Sequence, residues 1–179
     1  MSDLKASVPL VFVVVFAVIA AVQTHAVPRK RILVLCTGNS ARSQMAEGIL
    51  RSLDVQLDVF SAGTQPAARI NPKAVRVMRE INIDISQGKP KGVQQFLGES
   101  FDYVITVCDD ADKNCPNFSG KVGKRLHLGL VDPAAATGSE EAVLSVFRRV
   151  RDEIKVKFAD FYNQEIKHGP SASSAGKKR

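Results

Sequence analysis

The sequence predicts an α/β fold, an open parallel sheet of four strands with helices on both faces. Three observations predict it. Short apolar runs alternate along the chain with longer segments in which apolar residues recur at helical spacing. Three of those runs end on a reactive side chain: Ile32–Leu35 delivers Cys36, Phe101–Val107 delivers Cys108, and Arg125–Leu130 is followed by Asp132. Finally, 179 residues with 45% hydrophobic content suffice for one domain with a full core.

Each element follows from local chemistry. Ile32–Leu35 is the first strand, and Gln44–Leu53 continues as an amphipathic helix with Met45, Ile49, Leu50 and Leu53 on one side. Val55–Phe60 reads as the second strand. It ends in Ser61-Ala62-Gly63, a turn small enough to pack against the loop after the first strand. Asn71-Pro72 opens the next helix, with Asn71 as N-cap, Pro72 at the first helical position, and Val75, Met78 and Ile81 along it. Ile83–Ser86 is a connector, Gly88–Lys91 a loop, and Val93–Leu97 a short helical piece. Phe101–Val107 is the third strand and Arg125–Leu130 the fourth. Ser139, with Glu140 and Glu141 behind it, caps a long helix carrying Val143, Phe147, Val150 and Ile154.

The stretch Leu35–Gly48, LCTGNSARSQMAEG, is strand, loop and helix in succession. Gly38, Asn39 and Ser40 tolerate the tight turns that aim successive backbone N–H groups at one point. Such a nest binds a tetrahedral oxyanion. The helix starting near Arg42 adds its positive dipole end, and the guanidinium can fork two donors onto two oxygens of the anion. The same field favours a thiolate at Cys36, a nucleophile. In sheets of this kind sites assemble beyond the carboxyl ends of the strands, so Cys36, Cys108 and Asp132 are expected on one edge. A carboxylic acid beside an anion-bearing thiolate can stay protonated and pass its proton to a departing oxygen.

Cys36–Ser43 resembles the anion loop of low-molecular-weight protein tyrosine phosphatases, and CTGNSARSQMAEG is more similar still to the phosphatase-like arsenate reductases coupled to thioredoxin. The likeness runs from about Arg31 to about Lys155. It implies that Cys36 attacks arsenate, that Arg42 holds it, and that Thr37, Gly38, Asn39, Ser40, Ala41 and Ser43 complete the substrate cradle, with phosphate as a competitor. VCDDADKNCP is similar to the family segment bearing the second and third redox cysteines, which implies a relay from Cys36 to Cys108 to Cys115. A tyrosine phosphatase acting through a phosphocysteine at Cys36 is the alternative. Two departures favour the reductase: Ala134-Ala135 stands where those phosphatases carry aromatic residues, and Ala41 replaces their second loop cysteine. Some reductases of the family bind potassium through positions matching Asn39, Glu47, Ser61 and a later aspartate, and that aspartate corresponds to Lys91 here. No metal and no bound cofactor are therefore expected, with the lysine charge standing in for the cation. The reductant is external, thioredoxin by the resemblance, although a glutaredoxin-type system would need the same thiols.

Composition excludes other classes. The formal charge of +7 is not concentrated in a Lys/Arg run with interleaved aromatics, so a nucleic-acid interface is not expected. Three cysteines with no CxxC pair do not make a secreted disulfide framework, and the three histidines, His25, His127 and His168, form no zinc-ligand pair with them. The domain plan is residues 1–27 as an apolar N-terminal segment, 28–164 as the catalytic domain, expected monomeric, and 165–179 as a disordered basic tail. The apolar run Val8–Val22 is fifteen residues long. As a helix it would reach roughly 22 Å against a hydrocarbon core of about 30 Å. An export signal, a membrane anchor with Arg29–Arg31 on its cytoplasmic flank, and translation starting near Val27 all stand open. The last two put the catalytic domain in the cytoplasm.

Overall fold

The computed structural model describes residues 29–167. Its sheet consists of β1 (Arg31–Cys36), β2 (Asp58–Gly63), β3 (Phe101–Thr106) and β4 (Val122–His127) in the order β2-β1-β3-β4, all parallel. β1 is central, and every residue of it after Arg31 is buried, as expected of a strand covered on both faces. Alternation divides its side chains. Ile32 and Val34 enter a core made with α1 (Arg42–Leu53), α2 (Pro72–Arg79) and α4 (Glu140–Phe161), where Met45, Met78, Phe147 and Phe158 are all fully buried. Leu33 and Leu35 enter a smaller cluster on the opposite face with Ala62, Val93, Phe96, Phe101 and Val104. That second face is covered thinly. A single 3-10 turn, Val93–Phe96, lies over it, supplemented by edge-to-face rings of Phe60, Phe96, Phe101 and Phe118 and by the Arg31 guanidinium over Phe60 and Phe101.

The helix ends match their sequence signals. The Asn71 side chain accepts from Lys73 N at 2.9 Å, and Ser139 Oγ accepts from Ala142 N at 3.2 Å. α2 is tied to α4 through Arg151, only 8% exposed, which donates to Val77 O and to Glu80. Hydrogen bonds from Arg148, and then from Arg151, hold the Glu80 carboxyl below its ordinary range in spite of partial desolvation.

Two strands differ from the expectation. β2 begins at Asp58, because Asp54–Leu57 form the turn that leaves α1, closed by Leu57 N to Asp54 O and Gln56 N to Asp54 Oδ1. Val55 is therefore 78% exposed, and Ser61-Ala62-Gly63 are strand residues paired with Val34, Leu35 and Cys36 rather than a turn. β4 runs from Val122 to His127, three residues earlier at each end than expected, and Leu128 N and Leu130 N still donate to Thr106 O and Val107 O as the chain runs on to Asp132. It is an edge strand with mostly exposed side chains, so hydrophobicity was a poor guide to its limits. Beyond α4 a wide helical turn, Tyr162–Lys167, packs on the sheet through Tyr103 Oη to Glu165 O and the Lys124–Glu165 ion pair, three residues past the domain limit expected at 164. The apolar segment 1–27 and the tail from His168 lie outside the described residues. Among the described residues, no helix is long and apolar enough to cross a membrane.

Candidate active site

The loop Cys36–Ala41 joins β1 to α1, and its conformation is set by where its carbonyls go. Those of Cys36, Thr37, Gly38 and Ser40 accept backbone N–H groups of Thr64, Gln65, Ala67 and Asn71 at 2.9–3.1 Å. In a trans peptide the next N–H points the opposite way. The N–H groups of Thr37, Gly38, Asn39 and Ala41 thus turn away from the 64–71 segment. Asn39 N reaches Cys36 Sγ at 3.1 Å, and Ser43 Oγ lies 2.9 Å from the same sulfur. Cys36 is only 2% exposed. Gly63 is required beneath this loop, because a Cβ there would stand 2.5 Å from Thr37 O and 2.9 Å from Asn39 N.

Asn39 is the keystone of the loop. It adopts φ 46°, and its side chain uses all four hydrogen-bonding positions: Nδ2 donates to Ser43 Oγ and Ser61 Oγ, while Oδ1 accepts from Gln44 Nε2 and Lys91 N. Its side chain is fully buried, as is that of Ser43, so these two expected cradle residues support the loop from below. The cavity itself, about 370 Å³, is lined by Thr37, Gly38, Ser40 and Ala41 together with Cys36, Arg42, Asp110, Asp132 and Ala134. Asp110 escaped the sequence reading. Its Oδ2 accepts from Thr37 Oγ1 at 2.9 Å, and its only sequence signal was its place two residues after Cys108. A larger cavity, about 930 Å³, lies along α2 among Ile70, Arg76, Arg79 and Lys89. It contains none of the reactive side chains, so chemistry and not size identifies the site.

Arg42 and Asp132 meet at the cavity wall. The guanidinium pairs with Asp132 Oδ2 at 3.2 Å and donates to Leu130 O at 3.2 Å, which leaves Leu128–Asp132 as the strap bringing the carboxylate from β4 to the mouth. Asp132 also caps the adjoining turn by accepting from Ala134 N at 3.1 Å.

Cys108 and Cys115 bracket α3 (Asp109–Lys113), and all three cysteines are free thiols. The β1–β3 register brings Cys108 to the edge that carries Cys36, and Thr37 Oγ1 lies 3.5 Å from Cys108 Sγ. The segment between the two cysteines is polar, with Asp109, Asp110, Asp112, Lys113 and Asn114, but it is not exposed throughout. In fact Cys108 is 5% exposed and Ala111 fully buried in the main core, because α3 docks one face on β1 and β3 and leaves its acidic residues outward. Cys115 lies past the end of the helix, half-buried, and packs on the opposite core cluster. Neither of these two cysteines lines the cavity.

The positions matched to a potassium site are already satisfied. Glu47 accepts from Ser61 Oγ at 2.5 Å and lies 3.9 Å from the Lys91 ammonium, while both acceptor positions of Asn39 Oδ1 are taken. A cation would meet a lysine charge and a spent carbonyl, so these residues do not fit it. Among the described residues, no group of three His, Cys, Asp or Glu side chains is placed to hold a metal ion.

The profile described as "Low molecular weight phosphotyrosine protein phosphatase" matches residues 31–171. The chain belongs to that family. Within this phosphatase family its relatives include the arsenate reductase of Halalkalibacterium halodurans, 46% identical over 134 residues, covering 74% of this chain and 95% of that protein. A solved structure described as an arsenate reductase in the phosphate binding state superposes with a TM-score of 0.65 at 29% identity, over 75% of this chain and 98% of the other. The Corynebacterium glutamicum thioredoxin-dependent arsenate reductase gives a TM-score of 0.55 at 27% identity, over 77% of this chain and 62% of that one.

Proposed function

We propose that this member of the family is an arsenate reductase. The observation that carries the reading is the pairing of a cavity floored by Cys36 and walled by Arg42 with a second free thiol, Cys108, at the same sheet edge, bridged by Thr37. The named reductases among its relatives support it. Asn39 N–H and Ser43 Oγ stabilise the Cys36 thiolate, and the loop N–H groups and Arg42 receive the anion. An arriving dianion competes with Asp132 for Arg42. Freed from the guanidinium and set beside the bound anion, the Asp132 carboxylate takes up a proton from solvent and becomes the acid.

Cys36 sulfur attacks arsenic, and hydroxide leaves as water with the proton from Asp132. Cys108 thiolate then attacks Cys36 Sγ. The S–S bond forms, the S–As bond breaks, and its electron pair reduces arsenic from the pentavalent to the trivalent state. Cys115 displaces Cys36 from Cys108 by thiol–disulfide exchange, which leaves a Cys108–Cys115 disulfide. An external dithiol supplies the two electrons that close the cycle. Thioredoxin is the reductant that the Corynebacterium relative's description suggests. Because the cycle ends oxidised, it requires a reducing compartment, so the catalytic domain works in the cytoplasm and residues before about Val27 are dispensable for activity. The phosphatase alternative needs only Cys36, Arg42 and Asp132. Ala134, not an aromatic ring, stands at the cavity wall where a phenyl group would be held.

Steady-state assay with arsenate and thioredoxin beside an aryl phosphate tests the choice, with arsenate-dependent thioredoxin oxidation expected to dominate. Arsenate turnover no faster than background, with rapid aryl phosphate hydrolysis, would reverse it. Asp132→Asn should slow the first chemical step by roughly 100- to 10,000-fold, as for a lost general acid, while phosphate still binds. An unchanged single-turnover rate would remove Asp132 from the mechanism. Gly63→Ala should cost about 100-fold in turnover, since its Cβ must push the backbone of the loop out of place. Wild-type kinetics from that variant would show that the loop geometry is not critical.

A further inference from the structure

Residues two apart on a strand share a face, and on β4 Arg125 and His127 both reach the redox segment. His127 grips α3, with Nε2 3.3 Å from Asp109 Oδ1 and Nδ1 2.9 Å from Thr106 Oγ1, which in turn donates to Asp112. Arg125 grips the loop after α3. Its Nη1 lies 2.9 Å from Cys115 Sγ, its Nη2 donates to Pro116 O at 3.4 Å, and its guanidinium carbon stands 5.3 Å over the Phe118 ring. Phe118 in turn packs edge-on against Phe101 of the second core cluster.

The contact with sulfur is chemically directed. A guanidinium is permanently charged and only donates, so its bond to Cys115 strengthens when the thiol becomes a thiolate. Among the described residues, no carboxylate forms an ion pair with Arg125. The neighbouring charges are otherwise engaged: Asp110 by Thr37 and Asn114, Asp112 by Thr106, Lys124 by Glu165 and Glu99 by Arg31. Lys113, also on this segment, forms no ion pair among the described residues. The sulfur is thus what the Arg125 charge addresses.

We propose that Arg125 is the positioning residue of the third thiol: it holds the Cys115 sulfur on the reduced loop through a contact that strengthens as the thiol ionises, and lets go when that sulfur enters a disulfide. This rests on the relay proposed above. In the exchange step the Cys115 thiolate attacks Cys108 Sγ, the Cys108–Cys115 bond forms, and the Cys36–Cys108 bond breaks. The electron pair leaves on Cys36, where Asn39 N–H and Ser43 receive it, with no net oxidation. The charge that Arg125 held has then moved to the anion loop. A neutral disulfide sulfur gives the guanidinium little to hold, so the Cys115–Phe118 loop loses its clamp in the state that the external reductant must reach. Cys108 and Cys115 pack on opposite core clusters in the reduced form, so forming their bond requires the Cys115–Phe118 loop to move.

The test reads the thiol directly. In the full chain carrying Cys36→Ser and Cys108→Ser, alkylation of Cys115 by iodoacetamide is monitored from pH 6 to about 10 with Arg125, Arg125→Gln or Arg125→Lys. Arg125→Gln should slow the reaction about tenfold near neutrality, with the difference closing at high pH where every thiol is ionised, and Arg125→Lys should recover most of the rate. With all three cysteines present, Arg125→Gln should also accumulate the Cys36–Cys108 disulfide during turnover. Equal alkylation rates at every pH, with Cys115→Ser still blocked after one turnover, overturn the role of Arg125 and leave the relay standing. Repeated turnover by Cys115→Ser overturns the relay and this role with it.

Discussion

Cys36→Ser is expected to lose arsenate turnover by at least about 10,000-fold, since a hydroxyl at neutral pH supplies almost no nucleophile. The loss should be chemical and not structural. Cys36 is buried at the end of the central strand, and serine is close in volume, while the donors around it belong to Asn39 and Ser43. The loop N–H groups and Arg42 are untouched, so calorimetry should still show phosphate binding. A variant that retains turnover would mean that another group attacks arsenic.

Cys108→Ser separates the two chemistries that the cavity supports. Arsenate reduction should fall to the uncatalysed background, because the adduct on Cys36 has no second thiol to expel arsenite. Any aryl phosphate hydrolysis should persist, since Cys36, Arg42 and Asp132 are intact. The hydroxyl enters a largely apolar site, which costs about 1–3 kcal/mol if it finds no partner. Cys108→Ala is therefore the companion variant, and both must fail in reduction. Undiminished arsenate turnover by either would place the second thiol elsewhere.

Much of this architecture was legible in the sequence because local and global signals agree. β1, the Asn71-Pro72 start of α2 and the Ser139 cap of α4 are each dictated by adjacent residues. The anion loop was readable for the same reason, since Cys36, Gly38, Asn39 and Arg42 sit within seven residues. What was not legible depends on contacts distant in sequence. The inward turn of Asn39 is fixed by Ser61 and Lys91, twenty-two and fifty-two residues away. β4 was misplaced because an edge strand buries little. Cys108 is buried because one small residue, Ala111, lets α3 dock on the sheet, which the acidic composition around it concealed. The partnership of Arg125 with Cys115 has no sequence signature, as it arises only when β4 lies beside the end of α3.

The most direct test of the relay is mass spectrometry of Cys115→Ser after a single exposure to arsenate. Without Cys115 the exchange step is blocked, so the account predicts one equivalent of arsenite, one turnover, and a Cys36–Cys108 disulfide trapped in the protein. Arsenite released while both remaining thiols stay free, or continued turnover without Cys115, would contradict it.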